Sequence, residues 1–193
     1  TDGRRAVVAF SVNLEDDAHR RDFTMNALYA QADGTIIDPL GGLVDIEARR
    51  VRFIDDPGQR IREDYLRILR FFRFHAWYGD DDAGLDPEGL AACAANIDGL
   101  SSLSKERVGA ELVKLLSAPE PDRALAAMDR SGVLTALLPG ASTKAFFLVT
   151  SFERAPDPPD PIVRLAALGA FDVADMLRLS KGQTRQYEAL RAH

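Results

Sequence analysis

The chain has 193 residues, 46% of them hydrophobic and 28% charged, which is enough apolar content to bury a sizeable core. A formal net charge of −6 argues against nucleic-acid binding through the overall field and leaves that role to a local basic stripe. A single cysteine, Cys93, excludes an internal disulfide framework and a thiolate metal cluster. No apolar run nears the roughly 18 residues of a membrane span and no signal or lipidation pattern opens the chain, so a reducing, cytoplasmic setting is expected.

In chain order, the first elements have β character. "RAVVAF" at 5–10 predicts a strand, and "ALYAQADGTIID" at 27–38 predicts a hairpin turned at Asp33-Gly34. Two strands and a hairpin are too few for a stable sheet, so a segment preceding residue 1 is expected. From about residue 58 the pattern turns helical. Helices are predicted near 58–78, 87–96, 104–117, 120–131, 143–154 and 160–179, the last broken near Gly169, with Ser180 capping one more. "YGDDDAG", "SAPEP", "LPGAS" and "APDPPDP" supply the stops. The fold class is therefore α+β, a small sheet fragment followed by an all-α remainder. The expected divisions are 1–57, 58–140 and 141–193.

Three stretches concentrate polar chemistry. "HRRDFTMNALY" sets Arg20 and Arg21 beside Asp22 and Asn26. Guanidinium forks match phosphate oxygens, and Asp or Asn accepts from a sugar hydroxyl. A surface salt-bridge cluster at a helix end explains the same residues equally well. "IIDPLGGLVDI" places Asp38 and Asp45 around Gly41-Gly42, for which a capped turn leading into a helix is the simpler reading.

"IREDYLRILRFFRFHAWYG", residues 61–79, is the most informative. At 100° per residue Ile61, Tyr65, Ile68, Leu69, Phe72 and Ala76 share one face, an ordinary core stripe. Arg67, Arg70 and Arg73 form a slowly winding ridge on the other side, with Asp64 one turn before Arg67. Phe71, Phe74 and Trp77 flank the ridge, so it is expected to be packed or to line a cleft. The alternative is solvated helix pairing of Glu63 and Asp64 with Arg67, worth a few tenths of a kcal/mol.

"RRDFTMNA", "DPLGGLVDI", "EDYLRILRFFRF" and "LSKERVGAELVKLL" (103–116), in that order, resemble the class II tRNA nucleotidyltransferases, the CCA-adding enzymes, and the bacterial poly(A) polymerases that share their head and neck. The resemblance covers residues 1 to about 120, and the later helices fit the family's body. It implies a partial nucleotidyltransferase head, then a neck and body, in an enzyme that adds C, C and A to tRNA 3′ ends from CTP and ATP. A-only addition, poly(A) polymerisation and, for this chain alone, a noncatalytic RNA- or nucleotide-binding helical module remain alternatives. By the same resemblance Arg21 contacts the incoming nucleotide, with Asp22 and Asn26 near its triphosphate and sugar. Asp64 and Arg67 read its base, and Arg70 and Arg73 continue the nucleotide-binding ridge.

The family's first motif, a Gly-Gly loop followed by an Asp-x-Asp pair holding two Mg2+, is not among these residues; Asp80, Asp81 and Asp82 sit in an apparent loop and do not replace it. The metal carboxylates are expected upstream, and no catalytic or metal residue is assigned within this chain, which alone is expected to be inactive. Lys105, Arg107, Lys114 and Arg123 are expected to line one side and bind tRNA.

Base choice has a simple physical logic. Cytosine and adenine both present an amino donor beside a ring-nitrogen acceptor. A carboxylate and a guanidinium side by side select both, and a wrong base leaves buried groups unpaired, worth up to roughly 10⁴-fold.

Overall fold

A computed structural model describes residues 13–153 and 158–192. The expected strand at 5–10 lies outside them. Helix α1 (Leu14–Ala18) leads through a 3-10 turn (Thr24–Asn26) to a short antiparallel hairpin, β1 (Tyr29–Ala30) with β2 (Ile36–Ile37), in which Tyr29 faces Ile37 and Ala30 faces Ile36. Gly34 takes the left-handed conformation that the turn requires, and Asp33 accepts the Thr35 N–H. Helix α2 (Gly42–Glu47) begins where Asp38 accepts the N–H groups of Gly42 and Leu43, as a capped turn would. Residues 22–24 then run antiparallel to 52–54, through the Thr24 N–H to Arg52 O (3.1 Å) and the Ile54 N–H to Asp22 O (3.1 Å).

The remainder is helical: α3 (Pro57–Glu63), α4 (Leu66–Tyr78), α5 (Pro87–Ala95), α6 (Lys105–Leu116), α7 (Asp122–Arg130), α8 (Val133–Leu137), α9 (Thr143–Phe152), α10 (Pro161–Ala167), α11 (Val173–Met176) and α12 (Lys181–Arg191). The α+β expectation holds. Local chemistry sets most starts. Asp56, Asp86 and Asp160 each cap a helix whose first residue is proline, and Ser104, Ser142 and Ser180 cap α6, α9 and α12. At Ser180 a reciprocal bond with Gln183 completes a capping box.

The predicted 58–78 helix is two helices. Asp64 is extended (φ −154°, ψ 104°) and its carboxylate accepts the Leu66 N–H at 3.1 Å, so it ends α3 and caps the entry to α4. The predicted 160–179 segment divides near Gly169, as expected, into α10 and α11, with Gly169 at φ 71° between them. The short α8, entered through left-handed Gly132, had no counterpart in the sequence reading.

Helix α4 is the axis of the core. Ile68, Leu69, Phe72 and Ala76 are buried and Tyr65 packs against them, as the stripe predicts. Each large member contributes roughly 1.5–3 kcal/mol by leaving water. The opposite flank is used as well. Phe71 stacks on Phe53 (centroids 5.4 Å), and Phe23 packs on Phe53 (5.0 Å) and Phe74 (4.8 Å), so the β-type segment and the helices share one core.

Candidate nucleotide-binding site

The site is built where residues 20–26 cross the α3–α4 break. Asp22, 9% exposed, is held between two α4 arginines: Oδ1 accepts from Arg67 Nε at 2.8 Å and Oδ2 from Arg70 Nε. Arg67 also donates to Glu63 Oε2 and to the Arg60 carbonyl, both at 2.6 Å. Arg60, on α3, reaches the Arg21 carbonyl and Glu63. Arg73 turns the other way and meets Glu111 of α6 at 2.6 Å; that buried carboxylate also takes Lys114 at 3.4 Å. Packing of the guanidinium groups over Phe74, with Cζ 4.6 Å from the ring centroid for Arg73 and 5.7 Å for Arg70, explains why aromatics and arginines share this face. The ridge is packed as expected, and of the two helix pairs named as the alternative Glu63–Arg67 also forms while Asp64–Arg67 does not.

Arg21 is exposed at the rim. Its guanidinium pairs with Asp17 at 3.0 Å, donates to the Asn26 carbonyl and lies 5.2 Å from the Tyr29 ring centroid. Asp17 also accepts from the Tyr29 hydroxyl at 2.7 Å. That hydrogen bond, then Arg21, holds the Asp17 carboxyl below its ordinary range. The Asn26 side chain accepts the Phe23 N–H at 3.2 Å and so shapes the turn between Asp22 and Asn26.

Asp64 and Arg67 are not joined as a helical pair, because the break turns Asp64 out of the helix. Asp64 pairs with Arg107 of α6 at 2.6 Å, both about one-third exposed. Burial alone would raise its carboxyl; the Arg107 and Leu66 donors outweigh that and keep it lowered.

The four cations expected along one side are spread out. Lys105 and Arg107 lie about 200° apart around α6, and they pair with Asp175 and Asp64 respectively. Lys114 pairs with Glu111, and Arg123 is exposed on α7. Sequence reasoning did not single out Asp17, Arg60, or Glu111. The i,i+4 spacing of Asp17 and Arg21 was the available signal for the first.

The carboxylates here are committed to organic partners. Asp38 caps α2. Asp45 accepts from Thr24, Arg50 and Arg52. Among the described residues no group of three or more His, Cys, Asp or Glu side chains could hold a metal ion. No described helix is long and apolar enough to cross a membrane.

Residues 1–52 match the family model described as "Poly A polymerase head domain", and residues 84–144 match "Probable RNA and SrmB- binding site of polymerase A". The chain is 47% identical over 116 residues to the mitochondrial CCA tRNA nucleotidyltransferase 1 of Homo sapiens, covering 60% of this chain and 27% of that protein. It is 42% identical over 137 residues to the CCA-adding enzyme of Geobacillus stearothermophilus, covering 71% and 33%. Among solved structures, the Bacillus stearothermophilus CCA-adding enzyme in complex with CTP superposes with a TM-score of 0.80 at 31% identity, over 95% of this chain and 48% of that one. The chain thus spans about a third or less of these curated relatives and about half of the solved one.

Proposed function

Because the chain belongs to the family of class II CCA-adding enzymes and bacterial poly(A) polymerases, we propose that it supplies the nucleotide-selecting part of an RNA nucleotidyltransferase that adds C and A to tRNA 3′ ends without a template. In this reading residues 1–57 end the head, 58–140 form the neck and 141–193 belong to the body. The substrates are tRNA, CTP and ATP, and the setting is the cytoplasm.

The observation that carries the reading is the charge pattern where residues 20–26 meet the α3–α4 break. Arg21, Arg60, Arg67, Arg70 and Arg107 converge there against Asp17, Asp22, Glu63 and Asp64. One guanidinium in excess favours a polyphosphate. Arg21, on the rim, takes phosphate oxygens; Asp22 and Asn26 shape the turn beneath the sugar. Asp64, partly exposed and kept ionised, accepts the exocyclic amine of C or A, while Arg67 donates to the adjacent ring nitrogen. The latter is anchored through Nε and Nη1, and its Nη2 has only the long 3.4 Å contact to the Arg20 carbonyl to give up. Arg70 and Arg73 brace α4. Lys105, Arg107, Lys114 and Arg123 offer separate phosphate contacts to tRNA.

Mg2+ belongs to the proposed chemistry, but the described carboxylates do not fit it, for the reasons given above. The metal site is assigned to residues outside those described, and the 193-residue chain alone should not incorporate nucleotide.

The test is primer extension on tRNA ending before, within and after CCA, using each nucleotide separately and this chain in the context of a complete head domain. C and A incorporation that stops after CCA supports the proposal. Continued A addition would favour the poly(A) reading. Asp64→Ala should relax the preference for C and A over U and G with little change in KM, whereas Arg21→Ala should weaken all four nucleotides alike, since a phosphate contact carries no base information. Wild-type discrimination in Asp64→Ala would remove the base-reading role.

A further inference from the structure

We propose that Arg60 is a positioning residue that ties the main chain at Arg21 to the side chain of Arg67, so that triphosphate contact and base choice act as one unit; this rests on the reading of Arg21, Asp64 and Arg67 given above. Arg60 is 7% exposed and lies on α3, one turn before the break. Its two terminal nitrogens serve different partners. Nη2 donates to the carbonyl of Arg21, 39 residues earlier in sequence, and Nη1 donates to Glu63 Oε2. The same Glu63 oxygen receives Arg67 at 2.6 Å, and Arg67 also donates to the Arg60 carbonyl at 2.6 Å. Arg60 therefore holds Arg67 by two routes, through its own backbone and through a shared carboxylate.

Two features separate this residue from an ordinary packing arginine. Its Nε is buried with no partner, a cost that apolar filling of the same volume would avoid. It also lies beside Arg67, a second largely buried cation, so the pair is tolerable only with Glu63 bonded to both and Asp22 bonded to Arg67. A lysine, with one compact ammonium, could meet the Arg21 carbonyl or Glu63 but would not fork across both. Bridging head backbone and base-reading side chain requires the guanidinium. Because Arg60 is buried and its terminal nitrogens are committed to the Arg21 carbonyl and Glu63, its effect on the nucleotide passes through Arg21 and Arg67.

The experiment compares Arg60→Met, Arg60→Lys and Glu63→Gln with Asp64→Ala, all in the context of a complete head domain. KM and incorporation are measured for each of the four nucleotides. Arg60→Met is expected to raise KM for all four by about tenfold and to narrow discrimination by a similar factor, as loss of one charge-assisted link implies. Arg60→Lys should recover KM more than discrimination. Glu63→Gln should narrow discrimination with KM near wild type, and it carries the test if Arg60→Met fails to fold. Hydrogen exchange on the 193-residue chain supplies a readout independent of activity: the Arg21 and Thr24 amides should exchange faster in Arg60→Met. If Asp64→Ala relaxes discrimination while Arg60→Met and Glu63→Gln leave KM and discrimination unchanged, the coupling is wrong although the site reading stands. If Asp64→Ala itself keeps wild-type discrimination, the site reading fails and the coupling falls with it.

Discussion

Two buried aspartates, Asp45 and Asp22, are each clasped by two arginines, yet they do different work. Asp45, fully buried, takes Arg50 and Arg52, five and seven residues away, together with the hydroxyl of Thr24. Its cage is local and ties α2 to the turn before it. Asp22 takes Arg67 and Arg70, 45 and 48 residues away, and its cage joins the β-type segment to the central helix. The arginines differ too. Those on Asp45 are nearly half exposed (47% and 42%), whereas Arg67 is 11% and Arg70 31% exposed. Removing either carboxylate orphans its donors, but only the Asp45 arginines can readily return to water.

That contrast predicts the largest effect. Asp22→Ala should destabilise the fold by about 3–5 kcal/mol, the cost of breaking a buried pair, while Asp45→Ala should cost about 1–3 kcal/mol, chiefly for the stranded Thr24 hydroxyl and the lost donors. Urea unfolding of both variants tests the order. Equal losses would mean that the reach of the pairing and the exposure of its partners do not decide the cost.

A loss smaller than that of Asp22→Ala, and of the same size as that of Asp45→Ala, is expected from Gly42→Ala, which strains the local cage. A Cβ there would stand 2.1 Å from the Thr24 carbonyl oxygen, so α2 must move away from the turn that supports Asp45. Overpacking of this kind costs about 1–3 kcal/mol. Because the Asp22 cage is untouched, nucleotide discrimination should survive; a variant that folds well but loses discrimination would show that the two cages are coupled.

The local cage is also the kind of feature a sequence discloses, and the distant one is not. Asp-Pro pairs at 56–57, 86–87 and 160–161, and serines at 104, 142 and 180, mark helix starts with their own chemistry, and each lies at or within about two residues of an observed start. The Asp38 cap and the apolar stripe of α4 were legible for the same reason. The break at Asp64 was hidden because the apolar period runs across it, through Ile61 and Tyr65 into Ile68, while the cause is one side chain accepting a single N–H. Arg67 and Arg70 were recognisable as candidates but their shared partner was not, since nothing local relates position 22 to positions 67 and 70. Arg60 carries no such signal, because it shares a seven-residue helix with the exposed Arg62 and nothing local marks which of the two is buried.

Acid titration separates the buried groups further. His75 is buried with an unpartnered Nε2, 3.7 Å from Asp81; Asp80, Arg49 and Arg123 add to its field. Burial is the main cause that lowers its pKa below 6.5. An imidazole with a lowered folded-state pKa stabilises the fold above pH 6.5, and that contribution is lost as pH falls through the folded value. For Asp45, burial pushes the carboxyl up, but Thr24, Arg52 and Arg50 outweigh it and the net shift is downward. Its contribution is complete above pH 3.8 and is lost as pH falls below that. His75→Gln should therefore flatten the decline in melting temperature just below pH 6.5 and leave the steeper loss near pH 4 and below in place. A wild-type slope in that variant would assign the upper window to another group.

The smallest effect tests whether burial, and not the mere presence of a charge pair, sets the ranking. Arg107 and Asp64 are joined at 2.6 Å, as closely as the pairs in the buried network, but their side chains are 39% and 36% exposed. Solvent can take over from either partner, so Arg107→Ala should change stability by no more than about 1 kcal/mol. It should also leave Asp64 with the Leu66 N–H and an unpaired oxygen facing solvent, still able to accept a base amine. Discrimination among the four nucleotides is therefore expected to persist in Arg107→Ala while it is relaxed in Asp64→Ala. The decisive measurement sets the melting temperature of Arg107→Ala beside that of Asp22→Ala: if the exposed pair proves as costly to break as the buried one, distance alone governs these carboxylates, and the distinction between the two cages has no energetic meaning.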